Sequence, residues 1–101
     1  MPTEITKRFQ KMYKDTGVDT FRSIAEAADK NPVMTEQDAW SLNLFLSEFA
    51  VYESTNGHGI QRRQDIGNYI EKSRGSYLFP VLEELKIPER LKRIDEMVGN
   101  K

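Results

Sequence analysis

Apolar residues recur along this chain at intervals of three and four residues, which is the spacing of amphipathic helices. The clearest stripes are Ile5, Phe9, Met12 and Tyr13; Phe21, Ile24, Ala25 and Ala28; and Leu42, Phe45, Leu46 and Phe49. No segment alternates apolar and polar residues as a half-buried strand would. The pattern therefore predicts an all-α protein.

Residues that start and stop helices divide this pattern into five or six elements. Gly17 suits a helix end because it adopts positive φ without strain. The residue before Pro32 avoids the α region, so a helix should end there. Thr35 and Asp38 stand at capping-box spacing before the third helix. The predicted helices cover, in order, residues 4–16, 20–30, 36–53, a fourth segment that starts between 61 and 64 and ends near 73, and then 77–86 and 89–98.

The third predicted helix is apolar on more than one side. Trp40, Leu44 and Val51 add apolar surface outside its main stripe. A helix that is apolar nearly all round is usually surrounded by other helices. We therefore predict a single compact domain, residues 1–101, with five to six short helices packed around a central helix at about 36–53. If a face of that helix is uncovered, a homodimer is the alternative to a monomer.

Composition restricts the class of protein. The chain has 101 residues, 38% of them hydrophobic and 31% charged, which fits one globular domain. It has no cysteine, so disulfides, thiolate metal sites and cysteine nucleophiles are excluded. The charged first twenty residues predict no signal peptide, and no apolar stretch is long enough to cross a bilayer. These features predict a cytoplasmic protein with no membrane contact.

The charged residues are segregated along the chain although the net charge is only −1. Residues 1–16 carry four bases and two acids (+2), and residues 17–59 carry two bases and seven acids (−5). Residues 60–74 carry four bases and two acids (+2), whereas residues 75–101 are balanced. Patches of both signs are typical of contact with other proteins rather than of general polyanion binding.

The chemistry of catalysis is sparsely represented. His58, the only histidine, lies between two glycines in the polar segment 54–59, which predicts a loop. A catalytic histidine needs a nucleophile or an orienting carboxylate, and none is close in sequence. One histidine without cysteine cannot build a zinc site of the usual kind. We therefore predict no enzymatic activity, no metal and no cofactor.

Residues 62–82 resemble a helix-turn-helix motif. The small Gly67 between Ile66 and Ile70 would let two helices cross closely. Glu71 and Pro80 depart from the pattern, and acidic residues in the second helix would repel phosphate. On this hypothesis the protein is a DNA-binding regulator. Its candidate nucleic-acid contacts are Arg62, Arg63, Lys72, Ser73, Arg74 and Ser76.

The leading interpretation is a non-catalytic helical binding module. It would act as a small regulator, adaptor or inhibitor through contact with another protein. Tyrosine and arginine are enriched at the centres of such contacts. The candidate partner-binding residues are Tyr52, His58, Arg62, Arg63, Tyr69 and Arg74. The alternative for the tyrosines is that they lie at the edge of the core.

Overall fold

The computed structural model of the protein describes residues 2–99, which form six α-helices. Their bounds are α1 Glu4–Thr16, α2 Asp19–Lys30, α3 Glu36–Ser54, α4 Ile60–Ser73, α5 Leu78–Glu84 and α6 Ile87–Gly99. Residues 2–99 contain no strand. The all-α prediction and the number of helices are therefore confirmed.

Local sequence signals explain most of the helix ends. The Thr3 hydroxyl accepts the N–H of Thr6, whose own hydroxyl accepts the N–H of Thr3, so the two form a capping box. Gly17 ends α1 with φ 72°. The N–H of Asp38 donates to the Thr35 hydroxyl at 3.0 Å at the start of α3, as the spacing predicts.

At one end each, α5 and α6 differ by two residues from their predicted bounds. α6 begins at Ile87, two residues before the predicted start, and includes Pro88 in its first turn. The first-turn N–H groups have no partner within the helix, so the proline loses nothing there. α5 covers only seven residues. It ends early because Lys86 turns to φ 63°, outside the helical region.

The chain divides into two compact units, the first ending at Ser47 and the second beginning at Glu48. The boundary falls within α3. The single domain predicted for residues 1–101 stays a prediction.

The first unit is organised around the pairing of α1 with α2. Ala25 and Ala28 are buried on α2, and their small side chains allow the two helices to approach closely. The Phe9 ring lies 5.9 Å from that of Phe21 and 5.1 Å from that of Trp40, measured between centroids. These tilted aromatic contacts join α1 to both α2 and the start of α3.

The second unit buries apolar side chains from four helices. They are Phe49, Tyr52, Ile66, Ile70, Leu78, Val81, Leu82, Ile87, Leu91 and Ile94. The connection between α3 and α4 packs against α6 at Gly57. A Cβ at that position would lie 2.6 Å from Val98 Cγ2 and 2.8 Å from Ile94 Cγ2, so only glycine fits.

One side of α3 is exposed and apolar. Trp40, Leu44 and Val51 have 38%, 69% and 43% of their surface exposed. Since successive residues of a helix are about 100° apart, these three share one side. The buried residues of α3, including Leu42, lie on the other. α3 therefore has an uncovered apolar surface. The homodimer alternative depends on such a surface.

Two leucines on opposite sides of α3, Leu42 and Leu44, test this division. Leu42 is completely buried, so Leu42→Ala should lower the free energy of unfolding by about 2–5 kcal/mol. Leu44 is mostly exposed, so Leu44→Ala should change it by less than about 0.5 kcal/mol. Urea titrations of both variants measure the two values. Similar losses at both positions would contradict the assignment of faces.

Arg90 joins α6 to α3 within the second unit. Its Nε donates to Glu53 Oε2 at 2.9 Å, its Nη2 donates to Glu53 Oε1, and its guanidinium lies 5.0 Å from the Phe49 ring centroid. The hydrogen bond with Arg90 lowers the pKa of Glu53 below its ordinary value of 4.5. Both side chains are more than a third exposed, so water weakens their attraction.

The lowered pKa of Glu53 predicts a pH-dependent contribution to stability. The contribution is complete above the unfolded-state pKa and is lost as the pH falls through the lower folded-state pKa. Glu53→Gln should therefore cost about 1 kcal/mol at pH 7, and the difference from wild type should shrink below about pH 4.5. Urea titrations from pH 7 to pH 3 measure it. Glu83→Gln, at an exposed position, is the control, and a pH-independent loss for Glu53→Gln would contradict the role of the carboxylate.

Candidate functional site

A groove with a volume of about 430 Å³ lies between α4 and α6 in the second unit. Its least exposed lining residues are apolar, Ile70 and Leu91, with Pro88 beside them. Gly67 and Asn68 line it from α4. The remaining lining residues are charged and are Arg63, Glu71, Arg74, Lys92 and Asp95. An apolar base with polar groups around it is typical of a binding groove.

A two-point ion pair crosses this groove. Arg63 on α4 donates from Nε to Asp95 Oδ1 at 3.0 Å and from Nη2 to Asp95 Oδ2 at 2.9 Å. The parallel bonds match the planar guanidinium to the carboxylate. They raise the pKa of Arg63 above its ordinary value, and attraction to the Asp95 charge acts in the same direction. Arg63 is therefore held in one orientation by its own chain.

Gly67 provides the space through which Arg63 reaches Asp95. A Cβ at position 67 would lie 2.8 Å from Arg63 Nη1, closer than carbon and nitrogen can approach without displacement. In the helix-turn-helix hypothesis, the small Gly67 allows a close crossing of two helices. Its Cβ position is instead occupied by the end of the Arg63 side chain.

The other cations of the groove differ in their contacts. Arg74 donates from Nε to Glu71 Oε1 at 3.1 Å, and its guanidinium lies 5.1 Å from the Phe79 ring centroid. Lys92 is exposed and forms no ion pair with any residue in the range 2–99. Together the groove carries three cations and two carboxylates, a formal charge of +1.

The groove brings together two of the six predicted partner-binding residues, Arg63 and Arg74. Tyr52 is only 2% exposed and contacts Gly57. Burial raises the pKa of the Tyr52 phenol above its ordinary value of 10.0, and the charge of Asp95 raises it further. Tyr69 is half-buried on α4. Neither tyrosine lines the groove: Tyr52 is part of the core, whereas Tyr69 is half-buried.

The segment Gly57-His58-Gly59 connects α3 to α4 as predicted. His58 is exposed, and its imidazole forms no hydrogen bond to any residue that the structure describes. The Arg62 guanidinium donates to the His58 carbonyl at 3.4 Å. Neither residue lines the groove.

The remaining residues of the helix-turn-helix hypothesis are engaged locally. Ser73 is 4% exposed and donates its hydroxyl hydrogen to the Tyr69 carbonyl at 2.8 Å. The Ser76 hydroxyl accepts the N–H of Leu78 at 3.2 Å, at the start of α5. Lys72 is exposed on α4. Local engagement leaves the two serines poorly suited to contact phosphates or bases.

Of the residues that line the groove, only Arg63 and Arg74 were predicted from the sequence as site residues. Gly67, Ile70, Glu71 and Arg74 follow Arg63 at helical spacing, so the pattern did contain a signal for one shared face of α4. The residues on α6, Leu91, Lys92 and Asp95, belong to a separate segment. No sequence pattern linked them to α4.

Neither a metal-binding cluster nor a membrane-spanning helix is found in residues 2–99. Within that range no group of three or more histidine, cysteine, aspartate or glutamate residues is placed to hold a metal ion. None of the helices described is long and apolar enough to cross a membrane. No protein-family model, curated protein or solved structure matches the sequence.

The placement of Gly67 predicts an unusual result for a glycine-to-alanine substitution. In a helix interior this change normally adds about 0.5–1 kcal/mol to stability. Here the new Cβ should displace Arg63 from Asp95, so Gly67→Ala should give little or no gain. In an Arg63→Met background, where the guanidinium is absent, the same change should give the ordinary gain.

A double-mutant cycle measured by urea unfolding tests this coupling. Equal gains for Gly67→Ala in the wild-type and Arg63→Met backgrounds would contradict it.

Proposed function

We propose that this protein is a non-catalytic helical module that binds another protein through the groove between α4 and α6. The observation that supports this function is the groove itself, in which five charged side chains line the same surface as the apolar Ile70 and Leu91. Non-obligate interfaces share this arrangement of an apolar centre within a polar rim. A small regulator, adaptor or inhibitor could act through such a contact. The lack of cysteine favours the cytoplasm as its location.

The absence of catalysis is part of the same proposal. His58 is exposed, and among residues 2–99 no carboxylate orients its ring. A general acid or base is normally positioned by a partner group.

The DNA-binding alternative, through residues 62–82, stays a prediction with less support. α5 would be the recognition helix, but it has only seven residues and exposes Glu83 and Glu84. Carboxylates on that helix would repel the phosphate backbone. Arg63 already pairs with Asp95, so it has fewer free donors for a phosphate.

Filling the groove should prevent binding. Asn68 is exposed and lines the groove, so Asn68→Trp should occupy it without disturbing the core. Affinity for a protein partner, isolated with the wild-type protein and then purified, should fall at least about tenfold. Lys72→Trp is the matched control, because Lys72 is exposed on α4 and does not line the groove. Calorimetric titration of both variants measures the affinities.

Two results would contradict the proposal. Equal affinity for wild type and Asn68→Trp would show that the partner binds elsewhere. Tight binding of a random DNA duplex that weakens steeply with salt, and that is lost in Lys72→Glu, would favour the DNA alternative.

A further inference from the structure

Some cationic groups of the groove form no ion pair or hydrogen bond with the described residues of the chain. Lys92 has no anionic partner among residues 2–99, whereas the carboxylates Glu71 and Asp95 are each paired with an arginine. Arg74 uses Nε for Glu71, and its terminal nitrogens form no hydrogen bond to the described residues. Its side chain is 59% exposed. The Lys92 ammonium and the terminal nitrogens of Arg74 are therefore available to an anionic group of a partner.

The groove also has an apolar part. Ile70 and Leu91 are 6% and 7% exposed, so they present a small apolar surface at the base. Asn68 offers an amide that can both donate to and accept from a peptide backbone. A volume of about 430 Å³ is within the range of sites that bind ligands with a few large side chains.

We propose that the groove binds an acidic peptide segment of the partner, in which an aspartate or glutamate lies close in sequence to a large apolar residue. The carboxylate pairs with Lys92 and Arg74, and the apolar side chain packs on Ile70 and Leu91. This inference rests on the proposed function, since it specifies the partner of the same groove. Its support is charge complementarity, because the groove has one more cation than it has carboxylates.

The same charges argue against a phosphate group in the groove. A phosphorylated side chain carries nearly two negative charges at neutral pH. Glu71 and Asp95 line the groove with the cations and would repel a dianion more strongly than a single carboxylate. The net charge of +1 is matched by one carboxylate.

A display library of random 12-residue peptides, selected on the purified full-length protein, tests the partner class. Enriched sequences should combine aspartate or glutamate with leucine, isoleucine, methionine, phenylalanine or tryptophan. One enriched peptide, labelled with a fluorophore, is then titrated by anisotropy. Lys92→Glu should raise its Kd by about tenfold or more, because an attraction becomes a repulsion.

Arg93→Glu is the matched control for charge. Arg93 is adjacent to Lys92, is exposed, and does not line the groove, so its reversal should change the Kd by less than about threefold. A peptide whose acidic residue is changed to lysine should bind wild type weakly and regain affinity for Lys92→Glu. Such compensation requires direct pairing and would not follow from a general loss of structure.

The outcomes separate this inference from the proposed function. Some peptides could bind without an acidic residue, with a Kd that Lys92→Glu leaves unchanged and Asn68→Trp raises. Such peptides would overturn the acidic class of partner but would leave the groove as the binding site. Peptides whose affinity survives Asn68→Trp would overturn both proposals. A selection without enrichment, or tighter binding when phosphoserine replaces the acidic residue, would overturn the acidic-peptide inference.

Discussion

The ion pair between Arg63 and Asp95 determines the character of the groove between α4 and α6. It fixes a cation from one helix against a carboxylate from the other by two parallel hydrogen bonds. Each side chain keeps about two-fifths of its surface exposed, so the pair forms part of the groove surface. Its geometry in turn depends on Gly67, because the Arg63 side chain occupies the space that a Cβ would need. This ion pair therefore fixes the orientation of Arg63 and explains why position 67, inside a helix, is a glycine. It also neutralises one cation of the groove, so that less charge is left for a partner.

A recurring feature of this protein is that basic side chains contact carboxylates and aromatic rings of the same chain. Arg90 pairs with Glu53 over Phe49, and Arg74 pairs with Glu71 over Phe79. A guanidinium can make both contacts at once, because it donates in its plane and stacks on its face. The count of basic residues in a segment therefore overstates the positive charge that a partner meets. Lys92, which forms no ion pair within residues 2–99, is therefore more available to a partner than Arg63, which is paired with Asp95.

The helices were predictable because their signals are local. The capping residues Thr3 and Thr35 and the terminator Gly17 act within one turn, so the ends of α1 and the start of α3 followed from short-range chemistry. The predicted start of α6, near Pro88, was less accurate. Pro88 was read as preceding α6, yet it lies in the first turn, where a proline is equally acceptable. The local sequence at Pro88 was therefore compatible with a helix that begins either before or after the proline.

The sequence alone determined the all-α class, a total of five or six helices, and the exclusion of disulfide and thiolate chemistry. It also singled out Arg63 and Arg74 as candidate contact residues. The tertiary structure alone decided which of these arginines has free donors and which α6 residues stand opposite them. Arg63 and Asp95 are 32 residues apart, and so are beyond the reach of helical periodicity. Which side chains pair across that separation depends on how the helices pack, because the sequence position of a charged residue does not indicate which opposite charge it will contact.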